Sequence, residues 1–594
     1  MLRSSQCSQV SDGVCAACRN VAEKMKMKSR PCADTINRKT PLSRIKNKRA
    51  LVEEITELRR KEKALKTELD GVKARVEQEA VCVTEELGNE LFSFYQMAAN
   101  LQEMDPTVKM FWEEQAKAFS TKQRGMKWHP KLIKFAILIH QQSPALYRTL
   151  RNMGVLRLPG ESTLRNYTSV ISSSQGFQPH VIRSLREQAA LEQYPYVALL
   201  HDEVSIQKDL VYSVKTGTLV GYVCTEELQQ EEGFDINIAD HVLLFLVTGL
   251  CSDIYGSIGY FATRRPAADV LFQLFWDAVA YLELNGLKVL ASTSDKAPVN
   301  MKLYSMHRIG DEDRQIVYKT VNVYAPERFI YFVSDVPHLI KTVRNNIYHS
   351  QANNRGSRLL EINGSRITWD TIRDLYEKDI EGHLYKTKLT YDHINLTPRN
   401  LMKVRLAVQV LSESVSQILK EYGGPEVQEM AKFFLLMDRF FDAMNVRNHH
   451  EASRTLKEFR KPYTSLDDTR FEWLEKEFLS YIFKWEADVK AVAGLKASEK
   501  ARMFLSRPTF IGLVMSVRAV SEATQFLLQE GVNFVYTSKF NQDAVEQLFG
   551  RHRMMGRRST NMNLQTFGQQ EKNLFLMGSL RKEMKPDGNI STHI

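Results

Sequence analysis

The chain has 594 residues, 43% hydrophobic and 25% charged, with a formal net charge of +11, an ordinary composition for several soluble globular domains. Seven cysteines over this length argue against a secreted disulfide framework. The longest apolar run, Val242 to Val247, is too short for a bilayer, and the N-terminus lacks a signal peptide's apolar core, so no membrane and a reducing compartment are expected.

Residues 1–42 form a basic, cysteine-containing tail without periodicity, expected to be poorly ordered. Twelve Lys/Arg against three Asp/Glu in residues 1–49 suit a polyanion such as nucleic acid, or a solvated leader. A nucleic-acid partner would place the protein in the nucleus. Cys7, Cys15, Cys18 and Cys32 supply one well-spaced pair, Cys15/Cys18, which leaves both a zinc site and free thiols open. Residues 43–80 read as a coiled coil. Leu51, Leu58, Leu65 and Val72 recur every seventh residue, and Ile55, Leu69 and Val76 fill the second seam, which Glu62 interrupts. That spacing predicts self-association into a homo-oligomer.

Residues 85–180 read as helices. One starts at Pro130, a second ends at Gly154, and a third is capped at Ser162. With Arg148, Arg151, Arg157 and Arg165 they suit a helix-turn-helix on DNA, or an ordinary helical subdomain.

From Tyr194 the pattern changes to strands. Y-V-A-L-L-H-D ends on Asp202, a hairpin follows with its turn at Lys215–Thr218, and H-V-L-L-F-L-V-T-G-L-C is a third strand. A helix over 267–284 leads to L-K-V-L-A-S-T-S-D, which ends on Asp295, and F-I-Y-F-V-S-D supplies a fifth strand. This order predicts an RNase H-like mixed sheet, its first part at 181–345. Residues 346–505, amphipathic around 398–420, 427–445 and 468–491, read as a helical insertion. Residues 506–594 close the core with the Glu546 helix and end in a polar tail. The fold class expected is therefore multidomain α/β plus α.

Three acidic positions carry the chemistry: Asp202 in H-D-E-V-S-I, Asp295 in S-T-S-D-K-A-P-V-N and Glu546 in F-N-Q-D-A-V-E-Q-L-F-G. Carboxylates converging from separate elements are what two Mg²⁺ ions need for phosphoryl transfer. They are the expected catalytic residues and metal ligands. Glu203 points to the opposite strand face, and Asp335 either lines the site or caps the following helix.

These motifs, with K-W-H-P-K-L-I-K-F-A, L-P-G-E-S-T-L-R-N-Y, T-G-T-L-V-G-Y, D-V-P-H-L-I-K-T-V-R-N-N and Q-D-A-V-E-Q-L-F-G-R-H-R, resemble the P element-type, THAP-related transposases from Lys127 to about Leu574. The resemblance implies a Mg²⁺-dependent DNA transposase with an RNase H-like domain interrupted by a GTP-binding insertion. It implies nucleotide contacts at Phe441 and Asp442 in R-F-F-D-A-M-N, at Asp543, and at Lys403 and Val404 in L-M-K-V-R-L-A. The insertion has no phosphate-binding G-x-x-x-x-G-K-[ST] loop, so GTP would be held without hydrolysis. Two departures stand out. Lys296 replaces the family's glycine after the second Asp, and no Cys-x2-His follows Cys15/Cys18 to complete a THAP finger. They support an alternative, a domesticated relative that binds DNA or partners without catalysis.

Overall fold

The computed structural model describes Glu57, Arg60, Lys61, Lys63, Ala64, Thr67 and residues 106–584, apart from 122–125, 170, 214–216, 224–237, 265–266, 309–315, 352–356, 382–386 and 556–561. The basic tail, its four cysteines and the coiled-coil seam lie outside the described residues. Apart from Met153–Val155, the described residues from 106 onward belong to one compact unit.

That body begins with α1 (Pro106–Ser120), α2 (Pro130–Gln142), α3 (Pro144–Asn152) and α4 (Glu161–Thr168). Pro130 and Pro144 open their helices, where a missing amide hydrogen costs nothing. The third helix is capped at Gly160, not Ser162, which sits inside the first turn. Ile133, Ala136, Ile137, Tyr147 and Leu164 form the small core. Two of the four arginines are engaged within this subdomain: Arg148 pairs with Glu161 at 2.6 Å, and Arg157 lies over the Phe119 ring at 5.2 Å.

The centre is a seven-stranded mixed sheet. In chain order its elements are β1 (Gly176–Phe177), α5 (Pro179–Ala189), β2 (Tyr196–Ser205), β3 (His241–Gly249), β4 (Tyr255–Thr263), α6 (Ala268–Glu283), β5 (Lys288–Ser294), α7 (Pro298–Ser305), β6 (Lys319–Val321), β7 (Phe329–Ser334) and α8 (Val336–Tyr348). The strand order is β1-β4-β3-β2-β5-β7-β6. The β2/β3/β4 pairs are antiparallel, and β5 and β7 run parallel to β2. The crossover helix α6 makes the parallel step possible.

Two expectations need correction. The hairpin after Asp202 forms a separate two-stranded ladder, Val211–Ser213 with Thr218–Val220, off the main sheet. Its place is taken by β4, which the sequence reading missed. Y-G-S-I-G-Y-F-A-T looks too glycine-rich for a strand. The glycines serve close packing: a Cβ on Gly256 would stand 3.0 Å from Val181 Cγ1, and one on Gly259 3.0 Å from the Phe177 ring.

Residues 346–505 are helical as expected, with α9 (Val404–Val410), α10 (Gln428–Met444) and a run from Thr469 to Ala491 that includes a π-helical stretch at Trp473–Leu479. The exception is a small hairpin, Glu361–Ile362 with Ser365–Arg366. Asn363 and Gly364 both take positive φ, 49° and 78°, the signature of a two-residue hairpin turn.

The chain then returns through α11 (Arg507–Gln529), α12 (Asp543–Met555) and α13 (Leu564–Met584). Helix α11 is long and apolar enough to cross a membrane, but it packs on β7 and α8 with most of its apolar residues buried. Within the closing segment, residues 564–584 are a helix whose Leu580 joins the α2–α4 core.

Candidate active site

Alternation along β2 divides its residues between two cores. Ala198 and Leu200 face the α8/α11/α12 side, whereas Val197 and Leu199 face α5 and α6. Asp202 continues the first row and Glu203 the second. Glu203 accepts from Thr263 Oγ1 at 3.1 Å, so the two carboxylates part company as the alternation requires. The strand continues three residues past Asp202, because Asp202–Ser205 still pair with β3.

Asp295 follows β5 directly. Its Oδ1 accepts from the Ala297 amide at 2.8 Å and from Asn300 Nδ2 at 2.7 Å, which fixes the carboxylate at the start of α7. Asn300 Oδ1 in turn meets His201 Nε2 at 3.2 Å. Burial pushes the His201 imidazole down to about 4, so it is neutral near pH 7. A cavity of about 250 Å³ opens beside this group, lined by His201, Asp202, Glu203, His241, Asp295 and Asn300.

Glu546 sits on the first turn of α12, where a helix terminus favours negative charge. Gln542 sets that turn in place, and it is the residue that sequence reasoning undervalued. Its side-chain amide donates to the His201 carbonyl at 2.9 Å, and its backbone amide donates to Asp335 Oδ1 at 2.8 Å. Its own carbonyl accepts from the Glu546 amide at 3.1 Å. The helix that carries the third carboxylate is thus tied to the strand that carries the first. Asp335, 1% exposed, is both helix cap and site residue. Its Oδ2 accepts from the His338 amide at 3.0 Å and lies 2.6 Å from His338 Nδ1.

Asp202 feels the other two carboxylates. Burial first, then Asp295 and Glu546, raise the Asp202 carboxyl to about 7. Glu546 is also raised, mainly by burial. They are not gathered into a ligand set: among the described residues no group of three His, Cys, Asp or Glu side chains is arranged to hold a metal ion. Glu546 Oε1 lies 3.8 Å from His338 Nδ1. Burial disfavours the imidazolium, yet the Asp335 carboxylate overrides it and the His338 pKa is raised. The donors still suit a hard divalent cation, being carboxylate oxygens whose mutual repulsion an ion would relieve. Lys296 is turned away from Asp295 onto α8, where it donates to Thr342 Oγ1 at 2.6 Å; burial lowers its pKa to about 8.

The nucleotide candidates divide. Asp442 on α10 is buried, its Oδ1 paired with Arg460 Nε at 2.7 Å and its Oδ2 with Lys457 Nζ at 2.9 Å. Lys457 also pairs with Asp438. Both Asp442 oxygens are therefore taken, and a guanine could meet them only by displacing the two cations. Phe441 beside it is half-buried. Asp543 opens α12 and pairs with Arg447 at 3.0 Å, three residues past the end of α10. Lys403 is exposed at the N-cap of α9, and Val404 begins that helix. No hydrogen bond or ion pair among the described residues joins Lys403 to Asp442 or Asp543.

Residues 173–308 match the TNP-like, RNase H N-terminal domain, and residues 337–458 match the TNP-like, GTP-binding insertion domain. The chain is similar to P element-type transposases. It is 24% identical over 458 residues to the "Transposable element P transposase" of Drosophila melanogaster, covering 75% of this chain and 54% of that one. It is 23% identical over 333 residues to the "DNA transposase THAP9" of Homo sapiens, covering 54% of this chain and 35% of that one. The chain thus spans about half or less of these curated relatives. Its fold is shared with the "Drosophila P element transposase strand transfer complex", at a TM-score of 0.64 and 22% identity over 81% of this chain and 98% of that one.

Proposed function

We propose that this chain is a DNA transposase of the DDE type, which cleaves and joins DNA by in-line attack of water or a 3′-hydroxyl on a phosphodiester. One observation carries the reading. Carboxylates from β2, the end of β5 and α12 of an RNase H-like sheet lie near enough for Asp295 and Glu546 to add to the burial that raises the Asp202 carboxyl. Asp202, Asp295 and Glu546 would hold two Mg²⁺ ions, which supply Lewis-acid activation when bound. The protein's own residues orient the carboxylates: Asn300 for Asp295, Gln542 for Glu546.

The insertion would hold GTP as an unhydrolysed cofactor near Asp442 and Asp543, with Lys457 and Arg460 exchanging partners as it enters. The ion pair from Arg447 to Asp543 connects that region to the Glu546 helix, one turn away. DNA is the proposed partner, the nucleus the proposed location, and residues 43–80 the proposed self-association segment.

A second reading, binding without catalysis, is favoured by one specific feature: Glu546 lies against His338 rather than in a ligand set with the aspartates. Strand transfer between labelled duplexes decides between them. The transposase reading expects joined product in Mg²⁺ with GTP or a non-hydrolysable GTP analogue, and much less with ATP. Absence of product in Mg²⁺ with GTP, from protein that still binds the duplex, would leave the second reading.

A further inference from the structure

Helix α8 carries one charged side chain near the acidic residues that neither the proposed metal ligands nor their supports employ. Lys341 lies on α8, one turn after His338, and is only 7% exposed. Its charged neighbours are Glu546, Asp335, Arg344 and Asp295. The ammonium therefore faces the acidic centre. Among the described residues it makes no hydrogen bond and no ion pair.

The cations around it each have a protein partner, although Arg344 Nη1 is buried without one. His338 is held by Asp335 at 2.6 Å, and Lys296 by Thr342 at 2.6 Å. Arg344 donates to the Leu401 carbonyl at 3.0 Å and to Asn345 Oδ1 at 2.7 Å. Lys296 is close enough for the two ammonium charges to repel. An ammonium on a largely buried side chain, with no protein acceptor and a like charge beside it, is a favourable seat for an anion. The carboxylates do not come within ion-pair distance of it.

We propose that Lys341 contacts a non-bridging oxygen of the DNA phosphodiester on which the three carboxylates act, an inference that rests on the transposase reading above. A phosphate oxygen is the charge-assisted acceptor that this ammonium lacks. As the attacking oxygen forms its bond to phosphorus and the leaving oxygen departs with its electron pair, Lys341 keeps its proton and balances charge on the equatorial oxygen.

The test uses the full chain and a random-sequence duplex oligonucleotide in Ca²⁺, with affinity measured across a salt series. Loss of one phosphate contact in Lys341→Met should weaken binding about tenfold and reduce the salt slope by about one, while Lys341→Arg should keep the slope. Because Lys341 Nζ makes no hydrogen bond or ion pair among the described residues, Lys341→Met should stay about as heat-stable as the wild type. Lys341→Gln provides a polar counterpart with the same expected loss of slope. Wild-type slopes in both the Met and the Gln variants would overturn this inference alone. A wild type that binds no DNA would overturn the transposase reading, and this inference with it.

Discussion

Asp202 makes the site's electrostatics measurable without any substrate. Its carboxyl sits at about 7 in the fold, raised by burial and by the neighbouring Asp295 and Glu546. In the unfolded chain it would ionise near pH 4. Between those values the folded state binds more protons than the unfolded, so this group's contribution to stability falls as pH rises from about 4 to about 7. Asp202→Asn removes that penalty. In metal-free buffer the variant should match the wild type near pH 4 and exceed it by on the order of 2–4 kcal/mol at pH 8. Urea unfolding at the two pH values checks this; a difference that does not change with pH would contradict it. The aspartates themselves were legible in the sequence, since each ends or nearly ends a buried strand. Gln542 was not, because its importance lies in the His201 carbonyl and Asp335 carboxylate it meets, both more than 200 residues away. The pairing of Asp442 with Lys457 and Arg460 was equally hidden. A resemblance can mark an aspartate, but only the fold shows which cations reach it.

At the scale of elements, the strands and helices that hold the site followed from hydrophobic patterning, and the misses have particular causes. Strand β4 was overlooked because Gly256 and Gly259, needed for close approach to α5 and β1, depress its apparent strand propensity. The turn at Asn363-Gly364 carried a legible hairpin signal that the helical surroundings masked. The buried ion pair between α6 and the loop before β7 had no signal at all. Glu283 Oε2 meets Arg328 Nη2 at 2.7 Å, and Glu283 Oε1 accepts from the Val289 amide at 2.8 Å and from Asn322 Nδ2 at 2.7 Å. This carboxylate fastens the crossover helix to β5, the strand that delivers Asp295. Glu283→Ala would leave the buried Arg328 with only the exposed Glu327, at 3.5 Å, as an ion partner, a change that costs about 3–5 kcal/mol. The urea midpoint should fall accordingly with the slope unchanged. A shift under 1 kcal/mol would mean that water replaces the carboxylate and that the pair does not anchor the strand.

At the scale of the molecule, the helical insertion between β7 and α11 places Asn445 and Arg447, just past α10, against Asn541 and Asp543 at the start of α12. Anything that repositions the end of α10 therefore acts within one turn of Glu546. The central claim is that Asp202, Asp295 and Glu546 together form a catalytic metal centre, with Glu546 leaving His338 when metal and DNA are present. It is tested most directly by the Mg²⁺-dependent rate of strand transfer for wild type and Glu546→Gln, which keeps the helix and removes only the charge. The account predicts a loss of at least a hundredfold at saturating Mg²⁺, with duplex binding in Ca²⁺ nearly unchanged. A Gln variant that joins DNA at the wild-type rate would contradict it.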